Sequence, residues 1–245
     1  MPSKKFESLP QYSRESDEDN TPVTSPDLVF AALERGILLG RYVPGQRLVV
    51  SDLMNELKLS RGSVREGFKR LAAEGVVVQV PHRGVYIRAL SRSEALDLLQ
   101  VLRVLLGLAV GLAAARCRLD RVHKQNGHAE KLTRSYERLA ALGPNSDRFL
   151  QSIERTRFYD TILEIAGNRE LTRINPLLPT VIMRMQTHQF VNPEMHGQLF
   201  ADYKTLYDAL MAGDPLSAKR IIDRHIRYSR IQALHLPDEA FAILP

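Results

Sequence analysis

Leu59-Ser60-Arg61-Gly62-Ser63-Val64-Arg65-Glu66-Gly67-Phe68-Lys69-Arg70-Leu71-Ala72-Ala73-Glu74-Gly75 is the stretch whose pattern decides the architecture of this chain. Ser60 is placed to cap a helix that runs to about Glu74 and stops at Gly75. Val64, Phe68 and Leu71 fall at i, i+4 and i+7 and so face one core. Arg61, Arg65 and Lys69 form a cationic row offset from that face. Such a helix buries one side and offers the other to an anionic partner. Arginine suits duplex DNA, because its planar fork can donate twice to a guanine edge in the major groove. Ser60 and Ser63 can add hydroxyl and backbone N–H contacts to phosphate.

The flanks extend this into a small domain. Upstream, Ser25 is the expected cap of a first helix, with Pro26 in its first turn and Leu28, Val29, Ala32, Leu33, Ile37 and Leu38 at helical spacing. Gly40 ends it, and Val43-Pro44-Gly45 is a turn. A short helix follows, with Ser51 as its expected cap and Leu53, Met54 and Leu57 on its apolar face. Downstream, Val76 to Val80 and Val85-Tyr86-Ile87 read as strands joined by a turn at Pro81-His82-Arg83-Gly84. Three helices and a hairpin over 25–90 make a winged helix-turn-helix. Between Lys58 and Arg88 seven Lys or Arg face only Glu66 and Glu74, a local excess of +5 in a chain of formal charge +6. Charge clustered in this way is a better footprint of nucleic-acid binding than net charge. The candidate DNA contacts are Ser51, Ser60, Arg61, Ser63, Arg65 and Lys69, together with His82, Arg83 and Gly84 at the hairpin tip, where backbone could approach a minor groove. A solvated basic face on an ordinary helix is the plainer reading. The cap, the spacing and the basic hairpin together weigh against it.

From Ser91 the pattern is helical throughout, with helices expected near 91–117, 120–142, 146–166, 168–190, 195–212 and 214–235. Six consecutive helices without strands indicate a bundle. The expected fold class is therefore mainly α. The expected divisions are a disordered tail over 1–24, a winged helix-turn-helix over 25–90, an all-helical domain over 91–235 and a C-terminal tail over 236–245. The single cysteine, Cys117, can form no internal disulfide, which fits a reducing cytoplasm. Met1 to Asn20 lacks the apolar centre of a secretory signal. The longest uncharged apolar run, Val104 to Ala115, falls short of the roughly 20 residues of a membrane span, so no membrane partner is expected. No Gly-rich phosphate loop, His-Glu-x-x-His or Gly-x-Ser-x-Gly motif occurs, and no catalytic residue is assigned.

The N-terminal motifs resemble the GntR family of bacterial regulators. Val43-Pro44-Gly45-Gln46-Arg47-Leu48 matches the family's Pro-Gly-x-x-Leu. Ser60 to Phe68 matches its Ser-Arg-x-Pro-Val-Arg-Glu-Ala-Leu, with Ser63 in place of Pro, Gly67 in place of Ala and Phe68 in place of Leu. Leu71-Ala72-Ala73-Glu74-Gly75-Val76 and Arg83-Gly84-Val85 complete the match. The helical half is similar to the FadR-like branch, whose C-terminal domain is called FCD. The matching pieces are Leu102-Arg103, Ile162 to Asn168, Asp208 to Asp214 and Arg224-His225-Ile226. The resemblance implies DNA contacts by Ser60, Arg61, Ser63, Arg65 and the wing around His82 to Gly84, and a homodimer acting on a double-stranded operator. It also implies repression released by a small effector, communicated through the linker near Arg88 to Arg92. Activation by the same fold, and non-specific nucleic-acid binding, stay open as alternatives.

Many members of that branch hold a metal through one Asp and three His. Here Arg155, Tyr159 and Tyr203 stand at three of those positions and only His225 is retained, so neither a metal nor another cofactor is expected. Arg155, Tyr159, Ile162 and Ala166 share one helical stripe, and Tyr203 and His225 sit in two others that are otherwise apolar. A buried arginine needs an anion. One reading gives Arg155, with Arg103, the anionic group of a small organic effector such as a carboxylate, oriented by Tyr159, Tyr203 and His225. The other pairs Arg155 internally with Glu154 or Glu164 and leaves His225 a satisfied core residue.

Overall fold

Asp27 closes the first turn of the first described helix. Its carboxylate accepts from the Thr24 N–H at 2.8 Å and from the Thr24 hydroxyl at 2.6 Å. The cap is therefore Thr24, and Ser25 is already helical, because Asp27 lies three residues beyond Thr24 and can reach back to it. The computed structural model describes residues 24–123, 127–143, 146–191 and 193–241. Residues 1–23 of the expected tail lie outside the described residues.

The N-terminal unit comprises α1 (Ser25–Leu38), β1 (Arg47–Leu48), α2 (Val50–Leu57), α3 (Arg61–Ala73), β2 (Val77–Val80) and β3 (Gly84–Ile87). Val64, Phe68 and Leu71 of α3 are buried with Val29, Leu33 and Ile37 of α1, so the row read from sequence is the core row. Gly67 is what lets the two helices meet this closely. A Cβ there would stand 2.5 Å from the Val29 side chain. The departure from alanine thus exchanges helix propensity of about 1 kcal/mol for a closer helix contact.

Two elements differ from the sequence reading. The sheet has a third strand, β1, and the order β1-β3-β2, antiparallel throughout, with Arg47 opposite Tyr86 and Val77 opposite Ile87. Two residues are too few to show an alternating pattern. Ser51 is also not a cap. The chain leaves β1 at Leu48 and turns at Val49 directly into α2, so Ser51 lies inside the first helical turn. Ser60 does cap α3, its hydroxyl accepting from the Ser63 N–H at 3.2 Å.

The bundle consists of α4 (Arg92–His123), α5 (His128–Leu142), α6 (Arg148–Ala166), α7 (Arg169–Ile174), α8 (Leu177–Thr187), α9 (Pro193–Ala212) and α10 (Pro215–His235). The helix expected over 168–190 is two helices. Pro176 has no N–H to donate and pushes Asn175 into extended backbone, which ends α7. The break expected between 117 and 120 does not occur, and α4 runs through it. By length and composition the Arg92–Asp120 part of α4 could cross a bilayer, a property the short uncharged run did not reveal. In the fold it packs against α10, α6 and α9, burying Leu99, Leu102, Leu106 and Val110, and Cys117 near its end is buried as well.

Residues 236–241 of the expected C-terminal tail fold back onto the bundle, and 242–245 lie outside the described residues. Ala240 and Phe241 are buried. The Arg92 guanidinium donates to the Ala233 and Leu236 carbonyls, each at 2.7 Å, pairs with Asp238, and lies 4.7 Å from the Phe241 ring centroid. Helix α10 ends in unpaired carbonyls, and a cation at that end satisfies them. The segment is therefore held by the helix terminus rather than by any pattern of its own.

Candidate nucleic-acid interface and effector cavity

Arg61, Arg65 and Lys69 are all exposed on α3. Lys69 pairs with Glu66 at 2.7 Å, while among the described residues neither Arg61 nor Arg65 has a carboxylate partner. The Ser60 and Ser63 hydroxyls stand 3.0 Å apart at the helix start, where free N–H groups also point outward. At the wing, His82 and Arg83 are exposed, and the turn carries positive φ at His82 (60°) and Gly84 (115°). The Tyr86 hydroxyl donates to the Arg83 carbonyl at 3.2 Å and braces the tip. Ser51 is exposed at the start of α2.

The local cation cluster is smaller than the sequence count. Arg70 turns away from the reading face to pair with Asp27 and lie over the Phe30 ring. Arg88 is half-buried, paired with Glu94 at 2.7 Å. One cation was overlooked. Arg47 on β1 is exposed, and its guanidinium lies so near Gly84 that a Cβ there would sit 3.2 Å from its Nε. The available signal was Gln46-Arg47-Leu48, where an inward Leu48 implies an outward Arg47, but it needed the strand to be seen.

In the bundle, α4, α6, α8 and α10 line a partly open cavity of about 130 Å³ whose wall is mostly apolar carbon. Arg155 and Tyr159 of α6, Arg184 of α8 and His225 of α10 line it. Tyr203 of α9 lies just behind, its hydroxyl 2.6 Å from Arg155 Nε and its ring centroid 5.4 Å from the guanidinium carbon. Four of the five expected effector residues therefore come together. Arg103 does not. Leu102 lines the cavity, and the next residue of a helix points about 100° away, so Arg103 is 40% exposed and pairs with Asp223 of α10 at 3.5 Å.

The internal ion pair offered for Arg155 does not form either. Glu154 is engaged by Arg157 at 2.5 Å and by Arg138 at 3.3 Å, and Glu164 pairs with Lys131. Adjacent residues on a helix face different ways, so Glu154 cannot follow Arg155 inward. Among the described residues, no carboxylate pairs with Arg155.

Arg184 was missed by the sequence reading. Its Nη2 donates to the Thr156 hydroxyl at 2.8 Å, while its Nε is buried without a partner, and no described carboxylate pairs with it. Burial, and after it the positive charge of Arg155, lowers its pKa to about 10. The signal was a lone cation within Val181-Ile182-Met183-Arg184-Met185.

His225 Nδ1 lies 3.1 Å from Asp202, which also accepts from Arg224 at 2.9 Å. Burial raises the Asp202 pKa, but the hydrogen bonds from His225 and Arg224 outweigh it and hold the group low. Burial lowers that of His225, and the bond to Asp202 opposes this only in part. Burial also pushes the Tyr159 phenol well above its usual range, so it stays a neutral donor. Among the described residues, no three His, Cys, Asp or Glu side chains gather as a metal site would require.

Comparisons with known proteins agree on both halves. Residues 27–87 match the model of bacterial regulatory proteins of the gntR family, and residues 97–228 match the FCD domain. The chain is 27% identical over 206 residues to a "Probable D-xylose utilization operon transcriptional repressor" of Paenarthrobacter nicotinovorans, covering 84% of this chain and 86% of that one. It is 23% identical over 202 residues to the "HTH-type transcriptional repressor GlaR" of Escherichia coli, covering 79% and 89%. Among solved structures, E. coli McbR/YncC superposes with a TM-score of 0.72 at 18% identity, covering 87% of this chain and 98% of that one. At that identity the likeness establishes the shared fold alone.

Proposed function

We propose a function from one premise: this chain belongs to the gntR family of bacterial regulatory proteins and carries an FCD domain. It is a DNA-binding transcriptional regulator. Beyond that, we infer that it is a sequence-specific repressor, working in the cytoplasm as a homodimer and released from its operator by a small organic anion bound in the bundle. It binds its ligand and catalyses nothing. The observation that carries the effector reading is the pair of guanidinium groups, Arg155 and Arg184, that share a cavity in whose wall no described residue supplies a carboxylate. Desolvating two like charges is costly unless an anion joins them. Tyr159 and His225 stand beside them as orienting groups.

The metal used by many FCD domains does not suit these side chains. Guanidinium groups have no lone pair to offer and repel a cation. The one imidazole, whose Nδ1 is engaged by Asp202, cannot hold a divalent ion alone. We therefore assign no metal. For DNA, we give the contacts to Ser60, Arg61, Ser63, Arg65, Lys69 and the wing tip His82 to Gly84, and add Arg47. Ser51 is kept at the edge of that surface on its exposure.

The dimer reading is supported by an apolar stripe on α4. Val101, Val104 and Leu108, at i, i+3 and i+7, are 51%, 65% and 44% exposed. Two winged domains related by a twofold axis would meet two half-sites of a pseudo-palindrome. For communication, Gln186 stands two residues from Arg184. Its side chain accepts from the Leu90 N–H at 2.9 Å and donates to the Leu90 carbonyl at 2.8 Å and the Ala240 carbonyl at 3.0 Å. A shift of α8 on anion binding would be felt directly by the linker to the DNA-binding unit. Such coupling requires only that the anion bind the two arrangements unequally.

The test is to select an operator from random-sequence duplexes with the full chain and measure binding by fluorescence anisotropy at physiological salt. Release of that operator by an organic acid, lost in Arg184→Met, supports the reading. Binding that shows no sequence preference and only a steep salt dependence overturns it.

A further inference from the structure

We propose that the effector is an amphipathic monoacid: one carboxylate held by Arg155 and Arg184, joined to a compact apolar body of about six to eight carbons. This rests on the reading that the cavity is an anion site, and narrows it to a chemical class.

Charge sets the first limit. Among the described residues, Arg155 and Arg184 are the only Lys or Arg side chains in the cavity wall. Both belong to one end, where α6 and α8 meet and where Tyr159, Tyr203 and His225 cluster. A second carboxylate at the far end would be desolvated without a cation, which is the costliest way to bury a charge.

Surface chemistry sets the second. Away from the arginines the wall is mainly Leu99, Leu102 and Leu106 of α4, with Ala233, Leu236 and Phe241 of the C-terminal segment. Polar side chains such as Asn175, Thr187, Ser229 and Gln232 are the minority of that surface, so a polyhydroxylated acid would replace the hydration of few of its hydroxyl groups there. An apolar body gains from the same wall.

Size sets the third. A cavity of about 130 Å³ is close to the volume, on the order of 150 Å³, at which an apolar protein cavity takes up benzene. A ring or a short branched chain fits. A long acyl chain exceeds that volume.

The test uses the full-length protein, with titration calorimetry and thermal shift against benzoate, phenylacetate, acetate, succinate, galactarate and benzyl alcohol. Benzoate or phenylacetate should bind at least tenfold tighter than acetate, succinate, galactarate and benzyl alcohol. Arg184→Met and Arg155→Gln should each weaken the aromatic acids at least tenfold, and Leu102→Gln should weaken them while leaving acetate unchanged. Thermal melts of the unliganded variants establish that each is folded. Succinate or galactarate matching or exceeding benzoate, with the arginine variants losing both, overturns the amphipathic class and leaves the anion site standing. If no acid binds, or if binding ignores both arginine substitutions, the anion site itself falls and the class with it.

Discussion

Two sets of arginines divide this molecule. Arg47, Arg61, Arg65 and Arg83 stand exposed on the winged unit, and Arg155 and Arg184 line a cavity in the bundle. None of the six has a carboxylate partner among the described residues, yet the same lack means opposite things. On the surface, water solvates a guanidinium and screens its charge, so an unpaired arginine costs the fold little and is free for phosphate or base edges. In the cavity water has less access, and the lowered pKa of Arg184 records the cost of burial and of the neighbouring charge. An exposed cation set announces a partner by its pattern, whereas a buried one does so by its cost.

The largest effect expected from breaking this contrast is on DNA. Replacing Arg61 and Arg65 together by alanine should weaken a selected operator by roughly 100-fold, since each loses about 1–3 kcal/mol of readout. Anisotropy titrations would detect it, and the melting temperature of the free protein should hardly move. Next comes Gly67→Ala, which helix propensity alone predicts to be stabilising. The approach of Val29 reverses the sign. A destabilisation of about 1–3 kcal/mol, typical of overpacking, should appear in urea unfolding, and a more stable variant would show that α1 can yield.

Arg184→Met sharpens the contrast from the other side. Removing a buried unpaired cation should leave the unliganded protein as stable as before or about 1 kcal/mol more stable, measured by calorimetry, whereas it abolishes stabilisation by an acid. A loss of several kcal/mol without ligand would mean that Arg184 is already satisfied. The smallest effect is a pH dependence. His225 has a lowered pKa in the folded state, so below its usual value of 6.5 the unfolded chain binds the extra proton first. Its contribution is full above that pH and is lost as pH falls through it. Melting temperatures of the wild type should drop between pH 7 and 5.5, and His225→Gln should flatten that drop.

The winged unit was legible because its signals are local. A capped helix, a three-residue apolar row and a cationic row lie within one stretch of sequence, and Ser60 to Leu71 fold as that stretch implies. What was missed there is short or contextual, namely the two-residue β1 with its outward Arg47, and the diversion of Arg70 and Arg88 to Asp27 and Glu94. The cavity was half legible. Arg155, Tyr159, Tyr203 and His225 stood out as polar groups on apolar stripes. Arg103 was added beside Arg155 but faces Asp223, and Arg184 went unremarked because a single cation in an apolar run reads equally well as a surface position.

Periodicity, caps and turn residues determined that this chain is a winged helix-turn-helix followed by a helical bundle, and which side of α3 is buried, because those properties depend on neighbours a few residues apart. Only the folded structure decided which guanidinium groups share a cavity, that Gly67 is a contact rather than a defect, and that Gln186 ties α8 to the linker. Each of these joins residues tens of positions apart, and no spacing along the chain encodes such a meeting.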